Sequence, residues 1–318
     1  MSSAPPTLAD IRAAHARIRD KINRTPVLTS ATLDALCGAR LFFKCENFQK
    51  IGAFKARGAT NAVFSLSPEE AARGVATHSS GNHGAALARA ARLRGIAAHI
   101  VMPENTAKPK IESVRRQGGG IIFCAATATA REAAVARVVA ETGATLIHPF
   151  NDHRVIAGQG TVALELLEEI PDLDLVIAPV GGGGLLSGTV IAGKGLRPGL
   201  RVIAAEPEAA DDAARSFRSG KIVAMEQTST IADGLRTSLG DKTFPIIYGQ
   251  VDEIVTVSEA GIVAAMRQMW EVLKVIVEPS GAVPYAALHE NKIAVAGQRV
   301  GIIISGGNLD LDRLPWQA

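Results

Sequence analysis

Residues 175–194 read L-V-I-A-P-V-G-G-G-G-L-L-S-G-T-V-I-A-G-K, a short apolar run followed by four glycines and a helical pattern. The run at 175–178 is typical of a strand buried on both faces, as in a parallel sheet. A turn that only packs a helix on a strand would need one or two glycines, because each costs backbone entropy. A phosphate that approaches successive N–H groups at a helix start is the usual reason for more. The tetraglycine at 181–184 therefore predicts a phosphate site, with a tight packing turn as the alternative.

The same alternation of short apolar runs and helical patterns continues along the chain. Further β-rich runs lie at 41–43, 74–77, 99–102, 121–123, 145–147, 201–205, 254–257 and 301–304. Helical patterns of ten or more residues lie at 84–94, 127–141, 159–170 and 259–273. This alternation predicts an α/β fold with parallel sheets wrapped by helices. No linker divides the chain, so a second domain would have to be inserted in the first.

The composition excludes several classes of function. The 318 residues are 47% hydrophobic, 20% charged and 4% aromatic, and the net charge of +3 is not gathered into a basic block. A nucleic-acid partner is therefore not expected. No apolar run approaches a membrane span and no signal-peptide core is present, so we expect a cytoplasmic protein without membrane association. Cys37, Cys45 and Cys124 have no zinc-like spacing and, being odd in number, predict no disulfide framework.

Chemistry is expected in the residues that follow each run, because ligands of open α/β sheets bind beyond the carboxyl ends of the strands. The stretch S-S-G-N-H-G, from Ser79 to Gly84, leads into a helix and offers free N–H groups to a carboxylate or phosphate. A simple capping turn is the alternative. The stretch S-G-G-N, from Ser305 to Asn308, follows the last run. Its serine could donate to a ring nitrogen or only cap a turn.

A possible cation site follows the run at 201–205. Glu206 stands there, with Ala210, Asp211 and Asp212 shortly after it. Two carboxylates and a main-chain carbonyl at this spacing could hold a hard divalent cation. The alternative is an ordinary helix start, because acidic residues in a first turn complement the helix dipole.

A possible nucleophile is Lys55, whose neighbours Ala53, Phe54 and Ala56 are apolar. Apolar neighbours desolvate an ammonium group and lower its pKa, which favours a Schiff-base nucleophile. A solvated surface lysine is the alternative.

The stretches A-F-K-A-R-G-A, S-S-G-N-H-G, V-G-G-G-G and S-G-G-N occur in this order over nearly the whole chain. The set resembles the pyridoxal 5'-phosphate (PLP) enzymes of fold type II, and within them the serine racemase, serine/threonine dehydratase and 3-hydroxyaspartate dehydratase group. The resemblance implies a tryptophan synthase β-like α/β fold with two open, twisted, mostly parallel sheets and helices on both faces. It also implies a large PLP-binding domain (1–73 and 152–318) and a small inserted domain (74–151).

The resemblance further implies a role for each motif. Lys55 would link to PLP, Phe54, Asn82 and Ser305 would hold the cofactor ring, and Gly181, Gly182, Gly183 and Gly184 would bind its phosphate. Asn82 would lie near the ring 3-hydroxyl and Ser305 at the pyridine nitrogen. The substrate carboxylate would be bound by the loop of Ser79, Ser80, Gly81, Asn82 and His83. A divalent cation, Mg, Mn or Ca, would be bound by Glu206, the Ala210 carbonyl and Asp212.

The implied activity is a PLP-dependent ammonia-lyase that removes water from a 3-hydroxy amino acid to give a keto acid and ammonia. Lys55 would take the α-proton. Ser80 stands where plain threonine dehydratases typically have alanine, and its hydroxyl on the opposite face would permit racemisation or elimination from the other stereoisomer. Arg131 or Arg236 would bind the second carboxylate of 3-hydroxyaspartate, with a plain surface arginine as the alternative.

Other functions stay open. They are racemisation of an amino acid as the main activity, β-replacement as in cysteine synthases, and a protein that binds PLP or an amino acid without turnover. The S-S-G-N-H-G loop and the acidic set point away from β-replacement. Ala53 stands where the family more often has serine, which weakens any inference of substrate preference. The family is commonly dimeric, so we expect a homodimer.

Overall fold

A computed structural model describes residues 4–79, 81–225 and 228–317, and it contains two mainly parallel sheets with helices on both faces. The strands are β1 (Val27–Leu28), β2 (Arg40–Cys45), β3 (Val75–His78), β4 (Ala98–Pro103), β5 (Gly120–Cys124), β6 (Thr145–Leu146), β7 (Leu175–Pro179), β8 (Arg201–Pro207), β9 (Glu253–Val257) and β10 (Arg299–Ile304). The helices are α1 (Leu8–Ile18), α2 (Ala31–Cys37), α3 (Lys55–Phe64), α4 (Pro68–Ala72), α5 (Asn82–Arg94), α6 (Lys108–Arg116), α7 (Ala128–Thr142), α8 (His153–Glu169), α9 (Gly184–Leu196), α10 (Asp212–Ser219), α11 (Phe244–Gln250), α12 (Glu259–Leu273) and α13 (Pro279–His289).

The larger sheet has the strand order β1-β2-β10-β7-β8-β9, with β1 antiparallel to β2 and every other pair parallel. Successive side chains of a strand point to opposite faces. Val176 and Ile303 accordingly pack in a core with α1, α8 and α9, whereas Ile177 and Ile302 pack in a second core with α12 and α13. Both faces are covered, which explains why these strands are continuous apolar runs in the sequence.

The smaller sheet has the order β5-β4-β3-β6 and is parallel throughout. Val75 and Ile100 pack with α5 on one face, and Ala76 and Val101 pack with α7 on the other. Its strands all come from the continuous stretch 75–146. The predicted α/β fold with two parallel sheets is confirmed, while the domain boundaries of 1–73, 74–151 and 152–318 stay a prediction.

Each of the nine apolar runs corresponds to a strand, and the differences have local causes. The strand β1 was not predicted, because its apolar run is only the two residues Val27 and Leu28, between Pro26 and Thr29. The helix predicted at 159–170 begins earlier, at His153, where the Asp152 side chain accepts a hydrogen bond from the Arg154 N–H. No helix in the described part of the chain is long and apolar enough to cross a membrane.

A network of buried charges joins the start of α3 to its surroundings. The Arg57 guanidinium donates to both carboxylate oxygens of Glu46, at 2.7 Å each, and to both of Glu165, at 2.8 and 2.7 Å. The Lys44 ammonium donates to Glu165 at 2.8 Å. All four side chains are buried. Because Glu46 follows β2 and Glu165 lies on α8, Arg57 ties α3 to the sheet and to a neighbouring helix.

We expect Arg57→Ala to lower the free energy of unfolding by about 3–5 kcal/mol, because it leaves the buried Glu46 without its ion-pair partner and Glu165 without one of its basic partners. Urea unfolding followed by circular dichroism measures the change. Arg24→Ala is the matched control, because the Arg24–Glu168 pair is 50% and 43% exposed and its loss should cost less than about 1 kcal/mol. Equal losses in the two variants would contradict a special role for the buried network.

Candidate active site

The candidate residues follow the carboxyl ends of four adjacent parallel strands. The segment with Lys55 follows β2, Ser305 follows β10, the tetraglycine follows β7, and Glu206 is near the end of β8. These strands are neighbours in the larger sheet, so their ends share one edge. This is the edge at which open α/β sheets bind ligands.

Lys55 is the first residue of α3, and its side chain is partly buried. The ammonium donates a hydrogen bond to the Pro149 carbonyl at 2.8 Å and lies 5.1 Å from the centre of the Phe54 ring. Burial lowers the pKa of Lys55 to about 8, although the nearby Glu278 carboxylate raises it. Desolvation by apolar neighbours, as the sequence predicted, is therefore the main cause of the shift.

The loop after β10 lies directly against the Lys55 segment. The Phe54 N–H donates to the Ser305 carbonyl at 3.0 Å, and Ala53 forms an isolated bridge with Gly306. Ser305 is buried. The S-G-G-N loop therefore adjoins the lysine, as expected if both contact one ligand.

The tetraglycine forms a tight turn at the start of α9. Gly183 has a positive φ of 87°, which favours glycine. A Cβ on Gly182 would lie 2.3 Å from the Phe150 ring, and one on Gly181 would lie 2.9 Å from the Leu235 Cα. The turn therefore has no space for side chains. The first N–H groups of α9 have no partner within the helix, so they are available to an anion.

Residues 149–150 link the lysine to the tetraglycine. Pro149 accepts the hydrogen bond from Lys55, and the ring of Phe150 packs against Gly182. His148 precedes them, and its Nδ1 accepts hydrogen bonds from the N–H groups of Phe150 and Asn151 at 3.4 and 3.0 Å. Sequence reasoning did not single out this segment, because its function depends on contacts far along the chain.

The loop after β3 leads into α5. Ser80, the predicted catalytic serine, lies outside the described residues. The Ser79 Oγ accepts a hydrogen bond from the Gly81 N–H at 3.3 Å, and α5 begins at Asn82. The buried His83 imidazole contacts the Ile147 carbonyl at 3.2 Å, and burial lowers its pKa well below the ordinary value. His83 is therefore neutral at pH 7.

Asn82 contacts a carboxylate that sequence reasoning missed. Its Nδ2 donates to both carboxylate oxygens of Glu278, at 3.1 and 3.2 Å, and its Oδ1 accepts from the Asn308 Nδ2 at 2.9 Å. Burial raises the pKa of Glu278 to about 7, and Asp233 raises it further. An acidic residue between the apolar stretch at 275–277 and Pro279 is the signal that could have found it.

The two predicted substrate arginines differ in their surroundings. Arg131 lies in the first turn of α7 and is partly buried, and its side chain forms no hydrogen bond or ion pair within the described residues. Its charge adds to burial in lowering the pKa of His78, the last residue of β3, so the two groups are close. Arg236 is exposed, and its guanidinium donates to the Thr230 carbonyl from Nε at 2.9 Å. Within the described residues, the Arg131 guanidinium is therefore unengaged, whereas that of Arg236 is bonded to a carbonyl.

Glu206 and Asp212 are buried and form no ion pair with a basic side chain in the part of the chain that the structure describes. Glu206 accepts hydrogen bonds from the N–H groups of Ala214 and Ala213, at 2.6 and 3.3 Å. Burial is the main cause that raises the pKa of Glu206 to about 9 and that of Asp212 to about 7. The Asp212 Oδ2 has no hydrogen-bond partner in the described structure. Oxygen atoms in this state suit a hard cation.

The described residues contain no cluster of three His, Cys, Asp or Glu side chains that could hold a metal. A cation at Glu206 and Asp212 would therefore need main-chain oxygen or water as further ligands. The Ala210 carbonyl, two residues before Asp212 in a 3-10 turn at Glu208–Ala210, was the candidate from the sequence.

Comparisons with known proteins agree with this geometry. The model of the family described as pyridoxal-phosphate dependent enzyme matches residues 18–306. A β-hydroxyaspartate dehydratase from Paracoccus denitrificans is 55% identical over 311 residues, which are 98% of this chain and 99% of that protein. A serine racemase from Arabidopsis thaliana is 52% identical and covers 98% of this chain and 95% of its own. The solved structure of maize serine racemase has a TM-score of 0.95 at 51% identity, covering 97% and 95% of the two chains.

We expect Lys55 in the cofactor-free protein to react with acetic anhydride as a group of pKa about 8, because burial disfavours its charged form. Competitive labelling followed by mass spectrometry of the Lys55 peptide measures the midpoint. An unperturbed lysine titrates near pH ~10.4 and serves as the reference in a model peptide. A midpoint close to the reference would contradict the desolvation that the geometry indicates.

Proposed function

Because this chain belongs to the family of pyridoxal-phosphate dependent enzymes, we propose that it is a dehydratase, an ammonia-lyase that removes water from a 3-hydroxy amino acid. The observation that carries the proposal is the Lys55 amine of lowered pKa, linked through residues 149–150 to a tetraglycine turn without space for side chains. These residues fit the cofactor. An amine that is partly neutral near pH 8 can form an imine, and free N–H groups at a helix start can bind a phosphate.

We assign the cofactor contacts as the family resemblance implies. Lys55 would hold the aldehyde carbon, and Gly181, Gly182, Gly183 and Gly184 would bind the phosphate through main-chain N–H groups. Phe54, Asn82 and Ser305 would hold the ring. The contacts of Phe54 with Ser305, and of Asn82 with Glu278 and Asn308, support these roles because they fix the three residues near the lysine.

When bound, PLP supplies an electron sink that makes the α-hydrogen of a linked amino acid acidic. The Lys55 amine takes that proton, and its lowered pKa keeps it in the basic, neutral form near pH 8. The residues Ser79, Ser80, Gly81, Asn82 and His83 bind the α-carboxylate, and the neutral His83 adds no charge there. As the family resemblance implies, the Ser80 hydroxyl would act on the face of the substrate opposite Lys55. Loss of the β-hydroxyl as water and hydrolysis of the released enamine give a keto acid and ammonia.

We propose 3-hydroxyaspartate as the preferred substrate. Its second carboxylate needs a cation, and the unpaired Arg131 near His78 supports this choice over serine and threonine. Arg236 supports it less well, because its guanidinium is engaged by the Thr230 carbonyl. Racemisation of serine or aspartate is the second candidate activity. The 52% identity to a serine racemase supports it.

We also propose that Glu206, the Ala210 carbonyl and Asp212 bind a divalent cation, with Mg, Mn and Ca as candidates. The unpartnered Asp212 Oδ2 supports this, because buried carboxylates without a counter-charge are costly. A homodimer, a cytoplasmic location and the inserted domain at 74–151 are further expectations from the sequence.

Keto-acid release tests the proposed reaction. We expect the PLP-loaded protein to release keto acid faster from threo- or erythro-3-hydroxyaspartate than from L-serine or L-threonine, and Lys55→Ala to abolish the release. Arg131→Ala should lower kcat/KM for hydroxyaspartate roughly 10- to 100-fold and leave that for serine nearly unchanged, because a charge-assisted bidentate contact is lost.

Arg137→Ala is the matched control on the same helix, because Arg137 is exposed and pairs only loosely with Glu141 at 3.9 Å. If Arg236→Ala rather than Arg131→Ala removes the preference, Arg236 is the clamp. Release from none of the substrates, with racemisation of serine, would favour the second candidate activity. If the protein neither releases keto acid nor racemises serine, the candidates that remain are binding without turnover and β-replacement.

Thermal unfolding tests the cation site. We expect MgCl2 or MnCl2 to raise the Tm of the wild-type protein by at least about 2 °C, because a ligand that binds only the folded state stabilises it. Asp212→Asn should abolish the rise. Asp211→Asn should retain the rise in Tm. The Asp211 carboxylate pairs with Arg215 at 2.8 Å and does not belong to the buried pair of Glu206 and Asp212. A rise of equal size in both variants would place the cation elsewhere.

A further inference from the structure

Glu278 is a buried carboxylate at the N-cap of α13, and the reaction proposed above does not use it. Its oxygens accept hydrogen bonds from the Asn82 Nδ2, at 3.1 and 3.2 Å, and from the Asn308 N–H at 3.1 Å. Its own N–H donates to the Gly306 carbonyl at 3.0 Å. Glu278 therefore joins the start of α5, beside the smaller sheet, to the loop that follows β10.

These contacts fix which way the Asn82 carboxamide is turned. One Nδ2 hydrogen is directed to Glu278, and Oδ1 accepts from the Asn308 Nδ2 at 2.9 Å. The reversed amide would place its oxygen against the carboxylate oxygens of Glu278 and its NH2 group against that of Asn308. Both contacts would be repulsive. The second Nδ2 hydrogen of Asn82 takes no part in these contacts. Toward a further ligand the Asn82 side chain can therefore act only as a hydrogen-bond donor.

The site needs a group that only accepts hydrogen bonds. Two donors, the Asn82 Nδ2 and the Asn308 N–H, converge on Glu278, and a Cβ on Gly306 would lie 2.6 Å from its Oε1. No basic side chain in the described parts of the chain forms an ion pair with Glu278, and a buried carboxylate without one is costly. Glutamine has nearly the same shape without this cost, but it presents one acceptor and one donor. The two acceptor oxygens of a carboxylate therefore explain why position 278 is a glutamate and not a glutamine.

We infer that Glu278 is a positioning residue that holds Asn82 as a hydrogen-bond donor to the ring 3-oxygen of PLP. The inference rests on the proposed role of Asn82 beside that oxygen. A donor at this position stabilises the anionic form of the ring oxygen. PLP linked to a lysine absorbs in the visible range when its imine nitrogen is protonated and the ring 3-oxygen is ionised, and in the near ultraviolet when the proton lies on the ring oxygen instead. Glu278 therefore sets the balance of the two absorbance bands through Asn82.

The test is the spectrum of the PLP-loaded protein and its variants at one pH above the Glu278 pKa of about 7, where its carboxylate is ionised, together with the Kd for PLP. We expect Glu278→Gln to lower the ratio of visible to near-ultraviolet absorbance severalfold and to raise the Kd about tenfold, because a charge-assisted hydrogen bond is lost. Glu290→Gln is the matched control. Glu290 caps the other end of α13, where its carboxylate accepts hydrogen bonds from Ser258.

A double variant separates positioning from general support of the fold. In an Asn82→Ala background, Glu278→Gln should change the absorbance ratio no further, because its effect passes through Asn82. An additional change of equal size would overturn the inference, as would a wild-type ratio in Glu278→Gln alone. If Glu278→Gln does not fold, Glu278→Asp supplies the same comparison, since its shorter side chain withdraws the acceptor oxygens. A wild-type protein without a visible band would instead overturn the proposed function.

Discussion

A guanidinium buried between two carboxylates fixes the position of Lys55. Arg57 follows Lys55 by two residues in the first turn of α3, and its N–H groups reach Glu46, Glu165 and Thr161. Buried charges tolerate little change in geometry, because each unmatched donor or acceptor carries its full desolvation penalty. The start of α3 is therefore held from its buried side. The orientation of the Lys55 side chain therefore depends on contacts that take no part in the proposed reaction.

A second constraint comes from the junction of the two sheets. Residues 149–150 follow the last strand of the smaller sheet, whereas Lys55 and Gly182 belong to segments that follow strands of the larger one. The Pro149 carbonyl binds the lysine, and the Phe150 ring occupies the space beside Gly182. The amine and the tetraglycine thus share one neighbour. A displacement of the smaller sheet would change the surroundings of both at once.

The sequence predicted what depends on local pattern. Apolar runs identified nine of the ten strands found in the described residues, and loops rich in glycine and serine identified three of the segments that surround Lys55. Contacts between distant residues could not be predicted in this way. Asn82 and Glu278 are 196 residues apart, and no periodicity relates them. The choice between Arg131 and Arg236 also depends on tertiary structure, because it rests on whether a carbonyl already engages the guanidinium.

The charges of the side chains in the candidate active site bear on which substrate the protein would select. Burial lowers the pKa of His148 to about 4 and that of His83 well below its ordinary value, so both imidazoles are neutral at pH 7. Serine, threonine and 3-hydroxyaspartate share the α-carboxylate and the β-hydroxyl, so the groups that bind these do not distinguish them. Lys55 exchanges a proton during the reaction and cannot hold a fixed charge for a second carboxylate. We propose that this discrimination falls to Arg131, whose side chain forms no hydrogen bond or ion pair in the described structure.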